Sequence, residues 1–137
     1  MVCKTYPFGS LKQYKYALIL SEYQGKFLLS RHKERSTWET QGGHIEPGEP
    51  PLEAAKRELF EESGAVDYDL MPLCDCQAGD LDDSHWDNGI VYRAVIRKLG
   101  PLPESEMAEV QQFDTFPENL TYPEIVSVLF EALQKET

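Results

Sequence analysis

Residues 43–65 read GHIEPGEPPLEAAKRELFEESGA. Pro50-Pro51 suits the first turn of a helix, because proline lacks an N–H that this turn leaves unpaired anyway. Gly64 suits its end, because glycine enters a left-handed cap without strain. The stretch therefore predicts a helix opened by Pro50-Pro51 and running to Ser63. At about 100° per residue, Leu52, Ala55 and Leu59 share one flank, the expected buried stripe. Glu58, Glu61 and Glu62 share the flank beside it, together with the small residues Ala54 and Pro51, so this acidic face is expected to be sterically open. Like charges three and four residues apart repel by roughly 0.2–0.5 kcal/mol per pair. Glu61 and Glu62 also fall at the negative end of the helix dipole. Carboxylates concentrated against both effects call for a partner of opposite charge. Oxygen ligands without histidine or thiolate point to Mg²⁺ or Mn²⁺. Arg57 lies at the edge of the acidic face. It can pair with Glu53 or Glu61 one turn away, or with Glu49 across the preceding loop. Gly42-Gly43-His44 lets backbone approach a ligand closely, and a free carbonyl there would complete an all-oxygen shell.

Outward from this helix the chain reads as an α/β layered domain. Residues 14–21 and 26–30 are apolar runs around Gln24-Gly25 and predict two antiparallel strands and a turn. Residues 31–36 are a polar loop. Residues 38–40 and the segment around Ile45 predict short strands broken at Gly42-Gly43. Residues 66–77 predict a strand irregular at Pro72, residues 79–88 an acidic loop, residues 89–98 the clearest strand and residues 108–116 a last one. Residues 122–135 form an amphipathic helix with Ile125, Val128, Leu129 and Leu133 on one side.

The 137 residues fit one domain, 1–137, and carry 24 acidic against 13 basic side chains, a formal net charge of −11. So acidic a chain is a poor general binder of nucleic acid polymers or anionic membranes. No apolar run is long enough to span a bilayer, and the N-terminus lacks the apolar core of a signal peptide. A cytoplasmic protein with reduced thiols is expected. Cys74 and Cys76 share one face of a strand, but CxC with scattered histidines makes a poor zinc site. Oligomeric state stays open between monomer and homodimer.

Gly43, Glu49, Arg57-Glu58, Glu61-Glu62 and Gly64 stand at the separations of the Nudix box, and every fixed letter of that motif matches. Trp38-Glu39 before Gly42-Gly43 is also similar to the family's approach to the box. The chain thus resembles the Nudix hydrolases, its compact length resembling MutT-type nucleotide pyrophosphohydrolases. The resemblance implies an α/β/α sandwich with a mixed sheet, a catalytic loop-helix and a C-terminal helix. It implies Mg²⁺-dependent hydrolysis of a nucleoside diphosphate-linked substrate, first a nucleoside triphosphate such as 8-oxo-dGTP, giving monophosphate and pyrophosphate. Dinucleoside polyphosphates and ADP-sugars are alternatives, as is a nucleotide-binding sensor without turnover; isoprenoid diphosphate isomerisation is a third class. By resemblance, Arg57, Glu58, Glu61 and Glu62 are catalytic, with the Gly43 carbonyl, Glu58, Glu61 and Glu62 as metal ligands. The general base is Glu58, Glu61 or a glutamate beyond the box, with Glu106 preferred over Glu104 and Glu109. Arg31 is expected against a substrate phosphate. Trp38, His44, Asn119 and His85-Trp86 have structural readings at least as good as their functional ones.

Overall fold

The computed structural model describes residues 2–79 and 85–136, the last without its side chain. Among these, seven strands and two helices follow in the order β1 (Val2–Tyr6), β2 (Tyr16–Tyr23), β3 (Lys26–His32), β4 (Gln41–His44), α1 (Pro51–Ser63), β5 (Ala65–Gly79), β6 (Trp86–Leu99), β7 (Met107–Phe113) and α2 (Pro123–Glu136). The strands form one mixed sheet in the order β1-β5-β6-β2-β3-β7, with β4 attached to β2. The β2–β6 ladder is parallel and the others are antiparallel. No helix among the described residues is long and apolar enough to cross a membrane.

Alternation along the strands sends side chains to two cores. Ala17 and Ile19 of β2 and Ile90, Tyr92, Ala94 and Ile96 of β6 pack with Ala54, Ala55 and Leu59 of α1. Leu20, Cys74, Cys76 and Val91 face the other way and meet Leu129 of α2. The three layers expected from the sequence are thereby formed. Leu52, expected in the buried stripe, is exposed, and Ala54, expected on the open flank, is fully buried. The acidic flank of α1 is therefore turned inward rather than to solvent. β1 lies outside the strands expected from sequence. The strand expected to break at Gly42-Gly43 instead runs through both glycines, because β2 supplies a ladder that overrides the low strand preference of glycine. Residues 80–84 of the expected acidic loop lie outside the described residues.

β2 is where the sheet forks. Its last residues pair with β3 next to the Gln24-Gly25 turn, whereas Tyr16–Ile19 pair with β4. Both turn residues have positive φ, as a two-residue hairpin connection requires. β3 then leaves β2 and continues against β7. The side chain of Gln41, wholly buried, spans the opening. Its carbonyl oxygen accepts the Ser21 hydroxyl at 2.6 Å, and its amide donates to Leu28 O at 3.1 Å and to Ser30 Oγ at 2.9 Å. Ser30 Oγ in turn donates to the backbone carbonyl of Glu62 at 2.8 Å. This chain of satisfied polar groups ties three strands to the last turn of α1, where an unpaired group would be costly.

Gln41→Leu should keep the volume and strand the partners of the amide, costing about 2–4 kcal/mol. Urea unfolding with an unchanged slope would measure it; a loss below about 1 kcal/mol would contradict the role assigned to Gln41.

Candidate active site

Two backbone devices aim α1. Pro51 opens it with no side-chain cap, and Gly64 closes it at φ +79°, donating to Phe60 O at 2.9 Å. A Cβ at Gly64 would stand 2.8 Å from the carbonyl oxygens of both Gly100 and Pro101, so glycine is needed for conformation and for space. Gly100 N–H donates to Gly64 O at 2.8 Å and fastens the end of the helix to the segment after β6.

α1 so placed presses Glu58 and Glu62 onto β4. Each is only 9% exposed. A Cβ on Gly43 would lie 2.7 Å from the Glu58 carboxyl carbon, so the carboxylate occupies the space of the absent side chain. Gly42, at φ +150°, has no room either, since a Cβ there would stand 2.5 Å from Ala17 O. Its N–H donates to Glu62 Oε1 at 2.8 Å. Arg57 organises the other side. It grips Glu49 with two bonds of 2.9 Å, donates to Glu58 Oε1 at 2.8 Å and to His44 O at 3.1 Å, and lies 3.5 Å from Glu61. Of the partners left open by the spacing, Glu49 is thus the principal one. Glu61 remains half exposed.

These contacts act unequally on the carboxylates. The Arg57 hydrogen bond holds Glu49 down at about 2. Burial pushes Glu58 above its ordinary range, against the pull of Arg57. Burial also pushes Glu62 up to about 8, only partly offset by the Gly42 N–H. The helix therefore carries two carboxyls that resist ionisation where they stand.

The donor set fits a hard divalent cation. Among the described residues no three carboxylate, imidazole or thiol groups converge on one point; Glu58 leans on Arg57 and Glu62 on the Gly42 N–H. What remains is a notch with two buried carboxylates and one open side, bordered also by Glu61, Glu104 and Glu106. Mg²⁺ is held in this manner, by one or two carboxylates plus water and substrate phosphates rather than by a protein cage. The Gly43 carbonyl, expected as a ligand, faces away from the helix. Amides of an antiparallel pair alternate between facing the partner strand and facing away. Gly42 N–H and His44 O point away from β2 to α1, so Gly43 between them turns its carbonyl toward Ala17. The carbonyl that faces the helix is that of Gly42.

The notch opens into a cleft of about 490 Å³. Gly42, Gly43, His44, Glu62 and Glu106 border both. Tyr16 and Leu18 of β2, Ala78 and Gly79 of β5, and Ile125 and Val126 of α2 form the far wall, with Arg35, Glu39 and Tyr122 on another. His85 also reaches this cleft. Arg31 does not. Its Nε donates to Glu109 at 2.8 Å and its Nη1 to Arg35 O at 3.0 Å, and it borders a shallow surface groove with Lys33 and Trp38. Adjacent strand residues point to opposite faces, so with His32 turned into the cleft Arg31 must point out. Arg35, paired with Glu39 at 3.1 Å, brings the guanidinium to the cleft instead. Spacing alone gave no signal for it, since it lies in the loop after β3. Trp38 packs edge-on against Phe113, and Asn119 holds the Ser36 carbonyl at 3.0 Å; both are structural.

A NUDIX domain model matches residues 12–133. The chain belongs to the Nudix family. Over 49 residues it is 41% identical to a candidate 8-oxo-dGTP diphosphatase of Bacillus subtilis strain 168, covering 36% of this chain and 32% of that protein. Over 56 residues it is 40% identical to an RNA pyrophosphohydrolase of Yersinia pestis, covering 41% and 32%. The match thus spans about a third of the length of these curated relatives. The crystal structure of a Bacillus subtilis pyrophosphohydrolase superposes with a TM-score of 0.81 at 24% identity, over 98% of this chain and 90% of that one. A Caenorhabditis elegans Ap4A hydrolase gives 0.67 at 21%, over 90% and 100%. These Nudix structures share the fold described above.

The raised position of Glu62 has a definite sign. The unfolded chain loses this proton near 4.5 and the folded one near 8, so stability of the metal-free protein falls as pH rises between those values. Glu62→Gln should remove that part of the fall and stabilise the chelated protein at pH 8 by on the order of 1–3 kcal/mol, with no gain at pH 4. Denaturant unfolding in EDTA at both pH values tests it, and equal effects would contradict it.

Proposed function

We propose that this chain hydrolyses a phosphoric anhydride bond in a nucleoside diphosphate-linked substrate, with Mg²⁺ as its cation and Mn²⁺ able to substitute. The substrate is a nucleoside triphosphate, including an oxidised one such as 8-oxo-dGTP, and the products are the monophosphate and pyrophosphate. The observation that carries this reading is the continuity of the notch holding Glu58 and Glu62 with a cleft of nucleotide size. A cation bound in the notch neutralises phosphate charge and polarises the anhydride.

In this reading Glu58 and Glu62, with Glu61 and the Gly42 carbonyl in place of the expected Gly43 one, hold the cation. Arg57 keeps Glu58 aimed while spending most of its hydrogen bonds on Glu49 and His44. Arg35 contacts a substrate phosphate in place of Arg31. Its bond to Glu39 keeps it over the cleft. A small nucleotide suits so acidic a chain better than a polymer, and neither nucleic acid nor membrane is assigned as a partner. Cys3, Cys74 and Cys76, none of them in a disulfide among the described residues, fit a cytoplasmic setting. An intact set of box glutamates speaks against a sensor without turnover.

Release of phosphate and pyrophosphate from a panel of nucleoside triphosphates, 8-oxo-dGTP, Ap4A and ADP-ribose tests the reading. Turnover should vanish with chelator and return with Mg²⁺ or Mn²⁺ but not with zinc alone. Glu58→Gln and Glu62→Gln should each lower kcat roughly 10²-fold or more. No turnover on any substrate would favour the sensor. A near-normal rate in either variant would remove the metal-holding role.

Arg35→Ala should raise KM about tenfold with kcat nearly kept, the signature of binding shared by ground and transition states. Steady-state kinetics beside Arg31→Ala decides it: the larger effect in Arg31→Ala would restore the role to Arg31.

A further inference from the structure

We propose that His32 is a positioning residue that aims Glu106 as the general base of the reaction proposed above, an inference that rests on that hydrolase reading. Three glutamates, Glu104, Glu106 and Glu109, lie at or before β7. Glu109 is held by Arg31 at 2.8 Å and Glu104 by Lys33 at 3.1 Å. Glu106 alone of the three borders both the notch and the cleft, and its neighbour is an imidazole rather than a permanent cation. His32 Nε2 stands 3.6 Å from Glu106 Oε2.

The hydrogen bonding of His32 assigns its proton. The backbone N–H of Glu34 donates to His32 Nδ1 at 3.1 Å. Nδ1 is therefore the acceptor, and the neutral ring carries its hydrogen on Nε2, the atom facing Glu106. The His32 side chain is 18% exposed and held by this turn, whereas that of Glu106 is 80% exposed and free to rotate. A separation of 3.6 Å is just beyond hydrogen-bond length and closes with a small rotation of the glutamate. Catalytic hydrogen bonds are often long before substrate binds and tighten in the complex.

The backbone is built to make this pair. Arg31 pairs with Glu109, but His32 pairs with Met107, so β7 carries one extra residue at this point. Bulges of this kind redirect side chains beside active sites. Here the slip brings Glu106 next to Lys33, whose N–H donates to Glu106 O at 2.9 Å. In a regular ladder Glu106 would sit one residue farther along β3. An imidazole N–H held in one direction by the turn orients a carboxylate by hydrogen-bond geometry.

In the step itself Glu106 takes one proton from the attacking water as its oxygen bonds to phosphorus. The P–O bond of the anhydride breaks, the electron pair leaves with the departing phosphate, and Glu106 returns its proton to solvent.

The test pairs kinetics with a readout independent of turnover. Glu106→Gln and His32→Phe should both lower kcat, the latter roughly 10–100-fold with KM little changed. His32→Gln, which can still present an N–H, should recover much of the loss. His32→Phe added to Glu106→Gln should cost nothing further. In the wild-type protein, ¹⁵N NMR of the imidazole should show the Nε2–H tautomer, whether or not the enzyme turns over. A normal kcat in His32→Phe, an additive cost in the double variant, or the Nδ1–H tautomer overturns the inference while leaving the hydrolase reading intact. A role confined to the turn after β3 would give that additive cost. Absence of turnover in the wild type overturns both.

Discussion

The burial of Glu58 and Glu62 against a strand of glycines is the constraint to which the rest of the molecule answers. Two carboxylates lie where water is scarce, and each has one strong donor, an Arg57 N–H for Glu58 and the Gly42 N–H for Glu62. Neither donor cancels the cost of desolvation, since both groups remain above their ordinary pKa range. Such an arrangement persists only if the surrounding structure over-determines it. The apolar stripe Ala54, Ala55 and Leu59 against β2 and β6 supplies the force. The Gln41–Ser30–Glu62 chain of hydrogen bonds supplies the direction.

Arg57 shows why charge alone does not describe the notch. Its planar fork meets Glu49 with two parallel bonds, and a further N–H reaches Glu58. A lysine has the same charge but not this geometry. Glu49 is fully neutralised by the pair, while Glu58 shares the cation and stays burdened. The same guanidinium thus keeps one glutamate as a strut and leaves the other able to gain from a stronger partner. Asp75 offers a contrast within the chain. It is completely buried but accepts from Gly9 N–H, Leu11 N–H and the Tyr14 hydroxyl. Three donors satisfy it and leave it a pin for the loop between β1 and β2.

The sequence revealed most clearly what depends on local chemistry. Pro51 and Gly64 marked α1 correctly, and the spacing of Glu58, Glu61 and Glu62 marked the notch. It was less informative wherever a distant element decides the outcome. The glycines of β4 look like breakers until β2 supplies a partner. Leu52 and Ala54 exchange places with their expected environments because the helix rolls to press its carboxylates onto β4. Arg31 and His32 differ by one position, and only the pairing of β3 with β7 tells which of them faces the cleft. Gln41 carries no motif letter, yet it closes the fork of the sheet. Its role depends on Ser21, Leu28 and Ser30 arriving from elsewhere in the chain.

That division between local and distant determinants bears on how one scaffold serves several substrates. The box helix, its glycine strand and Arg57 come from a single continuous stretch, so the machinery proposed to act on phosphates travels as a unit. The cleft wall is assembled from β2, β3, β5, β7, α2 and the loops between them, and a change in any one alters the shape of that space without touching Glu58 or Glu62. Curated relatives that align over about a third of their length, and are named for an oxidised nucleotide in one case and for RNA in another, fit this separation. In the proposed reading, anhydride chemistry and substrate choice are thus physically separable. The place where they meet is narrow: Gly42, Gly43, His44, Glu62 and Glu106 border both spaces. In that reading a residue at the seam, unlike one on the outer wall, alters turnover and selectivity together.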